Sequence, residues 1–148
     1  MKRLNHNHPV VVVLLLVFLL ACGTVYDYDV PDTAANRDGF ERHFGFAAPA
    51  DVADLYYFAD ELGADVKYQL GFKVGPETVA AVVTALDLAP LDASEARGLS
   101  IAHDFPWWDK ADIQRATFYQ KTNAGEDYWW EFWYSEATGY VYYLEYSL

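Results

Sequence analysis

The sequence predicts an α+β domain: an antiparallel sheet of about five strands with helices on one face, in two layers. Three stretches predict it. Val66–Val74 alternates, with Val66, Tyr68, Leu70, Phe72 and Val74 on one side and Lys67, Gln69, Gly71 and Lys73 on the other, the period of a strand. Glu77–Asp87 carries Val79, Val82, Val83 and Leu86 at i, i+3, i+4 and i+7, the stripe of a helix. Ile113–Leu148 reads as three strands joined by two similar loops that end in glycine, Thr122-Asn123-Ala124-Gly125 and Glu136-Ala137-Thr138-Gly139.

The chain opens differently. Lys2 and Arg3 precede Val10–Cys22, a run of thirteen residues that as a helix spans only about 20 Å. A bilayer core of roughly 30 Å needs about 20 apolar residues, so a secretory signal fits better than a spanning helix. Its last four residues, Leu19-Leu20-Ala21-Cys22, resemble the lipobox of bacterial lipoproteins. That resemblance implies cleavage after Ala21, a diacylglyceryl group on the Cys22 thiol and acylation, typically by palmitate, of the new amino terminus. It implies a cell-envelope location, at the outer membrane facing the periplasm where the host has two membranes. Gly23, and not aspartate, follows the cysteine. The alternatives are an ordinary cleaved signal and an uncleaved anchor.

Residues 1–21 are thus expected to be a signal peptide, 22–36 an acidic tether and 37–148 one domain. Cys22 is the one cysteine in the sequence, so the fold has no disulfide, and no cofactor or metal motif is recognised. From Cys22 onward, 22 acidic residues face 8 basic ones, a formal charge of −14. Nucleic acid is a poor partner for such a surface, and anionic lipid repels it. A basic protein or a divalent cation suits it better; solubility alone also explains the charge.

Asp32 or Thr33 can cap a short helix over Thr33–Phe44, with Phe40 and Phe44 on one side and Gly45 at its end. Leu55–Ala59 is an apolar run, and Leu62-Gly63-Ala64-Asp65 turns it into the Val66–Val74 strand. Pro76 starts the second helix where no amide donor is needed. Leu88–Asp112 has no sustained period and holds His103-Asp104-Phe105-Pro106-Trp107-Trp108.

Two type I turns with a left-handed glycine would fix the last three strands. Tyr134 then faces Tyr142, Phe132 faces Leu144, Phe118 faces Trp130, and Lys121 faces Asp127. The core face becomes Ala116, Phe118, Trp130, Phe132, Tyr134, Tyr142, Leu144 and Tyr146, under the second helix. The other face holds Arg115, Trp129, Glu131, Trp133, Tyr143 and Glu145, with Glu131 directly opposite Glu145. So many aromatics need a cover, from residues 88–112, or a partner.

Two kinds of site follow. Trp107, Trp108, Trp129, Trp133 and Tyr143 are the candidate partner-binding residues of a non-catalytic binding or assembly module. Glu131 with Glu145, or His103 with Asp104, are the candidates for a small hydrolase. An immunity or exclusion lipoprotein is a third reading. His43 is expected at the surface or packed in a loop. The 66–87 strand–helix pair, the Pro106-Trp107-Trp108 loop and the terminal Ala137–Tyr142 hairpin are similar to small uncharacterised bacterial lipoproteins, a resemblance that implies no activity.

Overall fold

The computed structural model describes residues 27–62, 65–123, 125 and 127–147. The lipobox with Cys22, the start of the tether and the Gly63-Ala64 turn lie outside them. The order is α1 (Ala34–Phe44), β1 (Ala53–Leu62), β2 (Asp65–Lys73), α2 (Pro76–Leu86), β3 (Ala89–Leu91), α3 (Lys110–Ile113), β4 (Thr117–Asn123), β5 (Tyr128–Ser135) and β6 (Tyr140–Ser147).

All strands form one antiparallel sheet in the order β1-β2-β6-β5-β4-β3. The fold is α+β as expected, with a sixth strand. That strand is three residues long, carries Pro90 on a sheet edge where a missing amide is tolerated, and lacks the length to show a period. The β2–β6 ladder joins the two hairpin systems.

The helices form where expected. Thr33 caps α1 through its hydroxyl, Gly45 closes it in the left-handed region (φ 77°), and Pro76 stands in the first turn of α2. Phe40, Phe44, Val79 and Val82 press on Leu70, Phe72, Phe132, Val141 and Tyr143 of the sheet. The last residues of the expected tether are part of the domain. Residues 34–36 belong to α1, and Asn36 is buried, its Nδ2 donating to the carbonyls of Asp27 (3.0 Å), Val30 (2.8 Å) and Leu55 (2.9 Å).

The expected register is corrected. Tyr134 pairs with Val141, Phe132 with Tyr143, Trp133 with Tyr142, and Glu131 with Leu144. Gly139 does adopt positive φ (67°), but four residues, 136–139, separate the paired Ser135 and Tyr140. One more loop residue turns the side chains of β6 over relative to β5, so Tyr142, Leu144 and Tyr146 leave the helix side while Phe132 and Tyr134 stay on it. In the β4–β5 hairpin Phe118 faces Trp133 and Lys121 faces Trp130, at cation–π distance (5.7 Å), not Asp127, which itself takes positive φ.

Both faces of the sheet are therefore covered. Residues 92–116 run across the side opposite α1 and α2 as a strap, containing two 3₁₀ turns and α3, so helices are not confined to one face. Under it lie Phe118, Trp133, Tyr142, Leu144 and Tyr146, packed by Trp108 and Ile113.

Candidate functional site

The strap is held by side chains rising from the sheet. Glu131 accepts from the backbone amides of Arg97 (2.9 Å) and Gly98 (3.0 Å), from Gln120 Nε2 (3.1 Å) and from the Tyr146 hydroxyl (3.2 Å). Gln69 grips His103 twice: its Oε1 accepts from the His103 amide (2.7 Å) and its Nε2 donates to the His103 carbonyl (3.2 Å). Asp112, buried on α3, accepts from Ser135 Oγ (2.8 Å), Thr138 Oγ1 (3.0 Å) and the Tyr142 hydroxyl (3.0 Å).

Where the strap reaches β1 and β2 it leaves a cleft of about 630 Å³, lined by Tyr28, Asp29, Asp54, Tyr56, Lys73, Pro106, Trp107, Tyr140 and Tyr142. Gly71 makes it possible, since a Cβ there would stand 2.6 Å from the Trp107 ring. Trp107 is sandwiched between Phe105 (4.9 Å, 12°) and Tyr56 (5.4 Å, 8°), and its Nε1 donates to the Tyr28 carbonyl (2.6 Å). Its faces are occupied, so its edge meets the cleft. Lys73 Nζ pairs with Asp54 at 2.8 Å, and that carboxylate holds the ammonium above its usual pKa. The buried Tyr140 hydroxyl has no protein partner, and burial pushes its pKa up.

The expected aromatic platform is divided. Trp107 reaches the cleft. Trp108 (4% exposed) and Trp133 (0%) pack edge-to-face in the core beneath the strap. Trp129 is half-buried and stacked on Tyr146 (5.2 Å, 13°). Tyr143 is fully buried on the other face, under α1.

The expected carboxylate pair is also corrected. Glu131 and Glu145 are on adjacent strands but opposite faces, because the ladder pairs Glu131 with Leu144 and Trp130 with Glu145. Glu145 accepts from the Tyr143 hydroxyl (2.6 Å) and the Tyr128 hydroxyl, and meets His43 Nδ1 at 2.6 Å. Burial pushes its carboxyl up, but the His43 and tyrosine contacts outweigh burial and leave it below its ordinary pKa. Burial dominates at Glu131, whose carboxyl is raised despite its four donors.

His103 and Asp104 do not form a dyad. Asp104 pairs with Lys110 (2.5 Å), and His103 Nε2 lies 4.0 Å from Asp60. Burial, then the nearby Lys67 charge, lowers the His103 pKa.

The residue that the sequence reading missed is His43, buried between Glu145 and the Tyr57 hydroxyl (Nε2, 2.8 Å). Sequence offers a single weak signal: His43 follows Phe40 by three on the apolar side of α1. A carboxylate–imidazole–phenol chain can relay a proton, but Tyr57 is itself fully buried, so no reacting atom reaches it. Among the described residues no group of three or more His, Cys, Asp or Glu is placed to hold a metal, and no helix is long and apolar enough to cross a membrane. Comparison with family models, curated proteins and solved structures finds no match for this chain.

Proposed function

We propose that the chain is a non-catalytic binding module of the bacterial cell envelope, tethered by acyl chains on Cys22, and that its ligand enters the aromatic cleft. The observation that carries this reading is a division of labour among the polar groups. Glu131, Glu145 and Asp112 spend their oxygens on donors inside the domain. The cleft instead presents an exposed ion pair, Lys73–Asp54, beside aromatic rings at the surface. A concave wall of aromatics with a few polar groups is the usual form of a ligand site. The −14 charge favours a basic or zwitterionic ligand over nucleic acid.

The test has two arms. The full chain, expressed in bacteria fed labelled palmitate, takes up label, and Cys22→Ser abolishes it. A photo-reactive residue at Asp29 or Lys73 forms adducts that the same residue at Ala85, on the far side of α2, does not. No label overturns the anchor; equal adducts from Ala85 overturn the cleft.

A further inference from the structure

Tyr28 and Val30 are 47% and 50% exposed, unusual for large apolar side chains in this molecule. Both stand in residues 27–33, a segment bound firmly to the domain. Asn36 holds its carbonyls at Asp27 and Val30. Trp107 holds its carbonyl at Tyr28, whose ring packs on Phe105 (5.2 Å) and Phe58 (6.2 Å). Asp32 accepts from the Asp54 amide (2.9 Å) and pairs with Arg37 (2.8 Å). The contacts to the domain thus begin at Asp27.

From Cys22 to Asp27 is five residues, which reach at most about 18 Å when fully extended. An acylated Cys22 lies at the bilayer surface, so this end of the domain is held within that distance of the headgroups. Tethering makes the contact intramolecular, and a surface too weak to bind from solution is then occupied.

The chemistry of this end fits one kind of lipid. Tyrosine, tryptophan and aliphatic side chains settle at the headgroup level. The cleft beside Tyr28 offers the Lys73 ammonium to a phosphate and the Asp29 and Asp54 carboxylates to an amine. An anionic lipid without an ammonium group, such as phosphatidylglycerol, offers the carboxylates nothing and meets a surface of charge −14.

We propose that the end bearing Tyr28, Val30 and the cleft seats on zwitterionic phospholipid headgroups, so that the domain lies on the membrane in one fixed orientation. This rests on the cleft and the Cys22 anchor described above. The experiment couples the chain from Cys22 onward to maleimide lipid in phosphatidylcholine vesicles and follows amide hydrogen exchange, with protection of β2, β5 and β6 reporting the fold. Residues 27–33 and 104–109 exchange at least about fivefold more slowly in the coupled chain than in the free one, a difference of about 1 kcal/mol. The Tyr28→Ser, Val30→Ser double variant removes that difference, and replacing part of the lipid by phosphatidylglycerol reduces it. Equal exchange in coupled and free chain overturns the proposal, as does protection confined to the outer side of α2. A protein adduct in place of a lipid adduct from position 29 in cells overturns it in favour of a protein partner. Because maleimide supplies the tether, absence of palmitate label in cells defeats the anchoring reading separately.

Discussion

The two faces of the sheet are covered by different physics. On one side α1 and α2 satisfy most of their own backbone groups, so what the sheet offers is mainly apolar area, Leu70, Phe72, Phe132 and Val141 against Phe40, Phe44, Val79 and Val82, with Glu145 meeting a side chain, His43, and no helix backbone group. On the other, the strap has little regular structure, and its buried amides and carbonyls need partners from elsewhere. The sheet supplies them from Glu131 to Arg97 and Gly98, from Gln69 to His103, and from Lys67 Nζ to the Ile101 carbonyl (3.2 Å). A helix can be laid on a sheet by apolar pattern, whereas an irregular segment is pinned by a few polar side chains at buried strand positions.

If that contrast is right, the largest loss comes from Glu131→Ala. It leaves the buried Gly98 amide and the partly buried Arg97 amide without their acceptor and opens a void, at a cost of about 3–5 kcal/mol. Val82→Ala on the helix side costs about 2 kcal/mol, for two methyl groups and a small cavity. Urea unfolding of both variants measures the difference, and limited proteolysis should find new cuts between residues 97 and 105 in Glu131→Ala alone. Losses of equal size would erase the distinction between the faces.

Gly98→Ala comes next, at about 1–3 kcal/mol. Its Cβ would stand 2.3 Å from Leu144 Cδ2 and 2.6 Å from Glu131 Oε2, so the strap must lift where it is gripped. Thermal unfolding gives the magnitude, and a weakened near-ultraviolet signal from Trp108 and Trp133 shows that the strap side moved. Gln69→Leu should cost less, about 1–2 kcal/mol, because His103 is half-exposed and water can replace part of what is lost. Exchange of the His103 amide reports it directly.

The same contrast decides how much could be read from the sequence. Elements with their own period were legible: α1 with its Thr33 and Gly45 caps, the β1–β2 hairpin, α2, and the three closing strands. Cover of the second face by residues 88–112 was one of two readings, the other being a partner, and of the aromatics assigned to that face Trp129 and Trp133 lie under the strap side and Tyr143 does not. What failed was register. A hairpin loop of four residues and one of three differ by nothing visible in Glu136-Ala137-Thr138-Gly139, yet the difference carries Tyr142, Leu144 and Tyr146 under the strap and Val141 and Tyr143 under the helices, while β5 keeps Trp130 towards the helices and Trp133 towards the strap; an odd shift in the β4–β5 pairing turns Phe118 and Tyr119 over in the same way. The run Tyr128–Tyr134 is apolar at both parities save Glu131, which is the pattern of a strand buried on both sides. The candidate site suffered for the same reason. Trp108 and Trp133 were absorbed into the core, and His43 meets Glu145 across 102 positions of sequence.

The two buried glutamates, one on each face, give the finest test, because their titrations act with opposite sign. Glu131 holds its proton to higher pH in the fold than in the unfolded chain, where a glutamate titrates near about 4.3. Its ionisation therefore costs stability at neutral pH, and stability is regained as pH falls through the folded pKa towards that value. Glu145 is depressed in the fold, so its contribution is present above about pH 4.3 and is lost as pH falls through the lower folded value. Acidification from pH 7 should thus first raise stability through the strap side, then lower it through the helix side. Each limb has a slope of at most about 1.4 kcal/mol per pH unit for one proton. Glu131→Gln keeps an acceptor oxygen towards Arg97 and Gly98 but removes the proton, so the rise on acidification disappears while the fall remains. Glu145→Gln removes the fall and keeps the rise. Urea midpoints across this pH range separate the limbs. If both variants flattened the same limb, the glutamates would be acting as one coupled pair, and the sheet between them would not divide two independent polar networks.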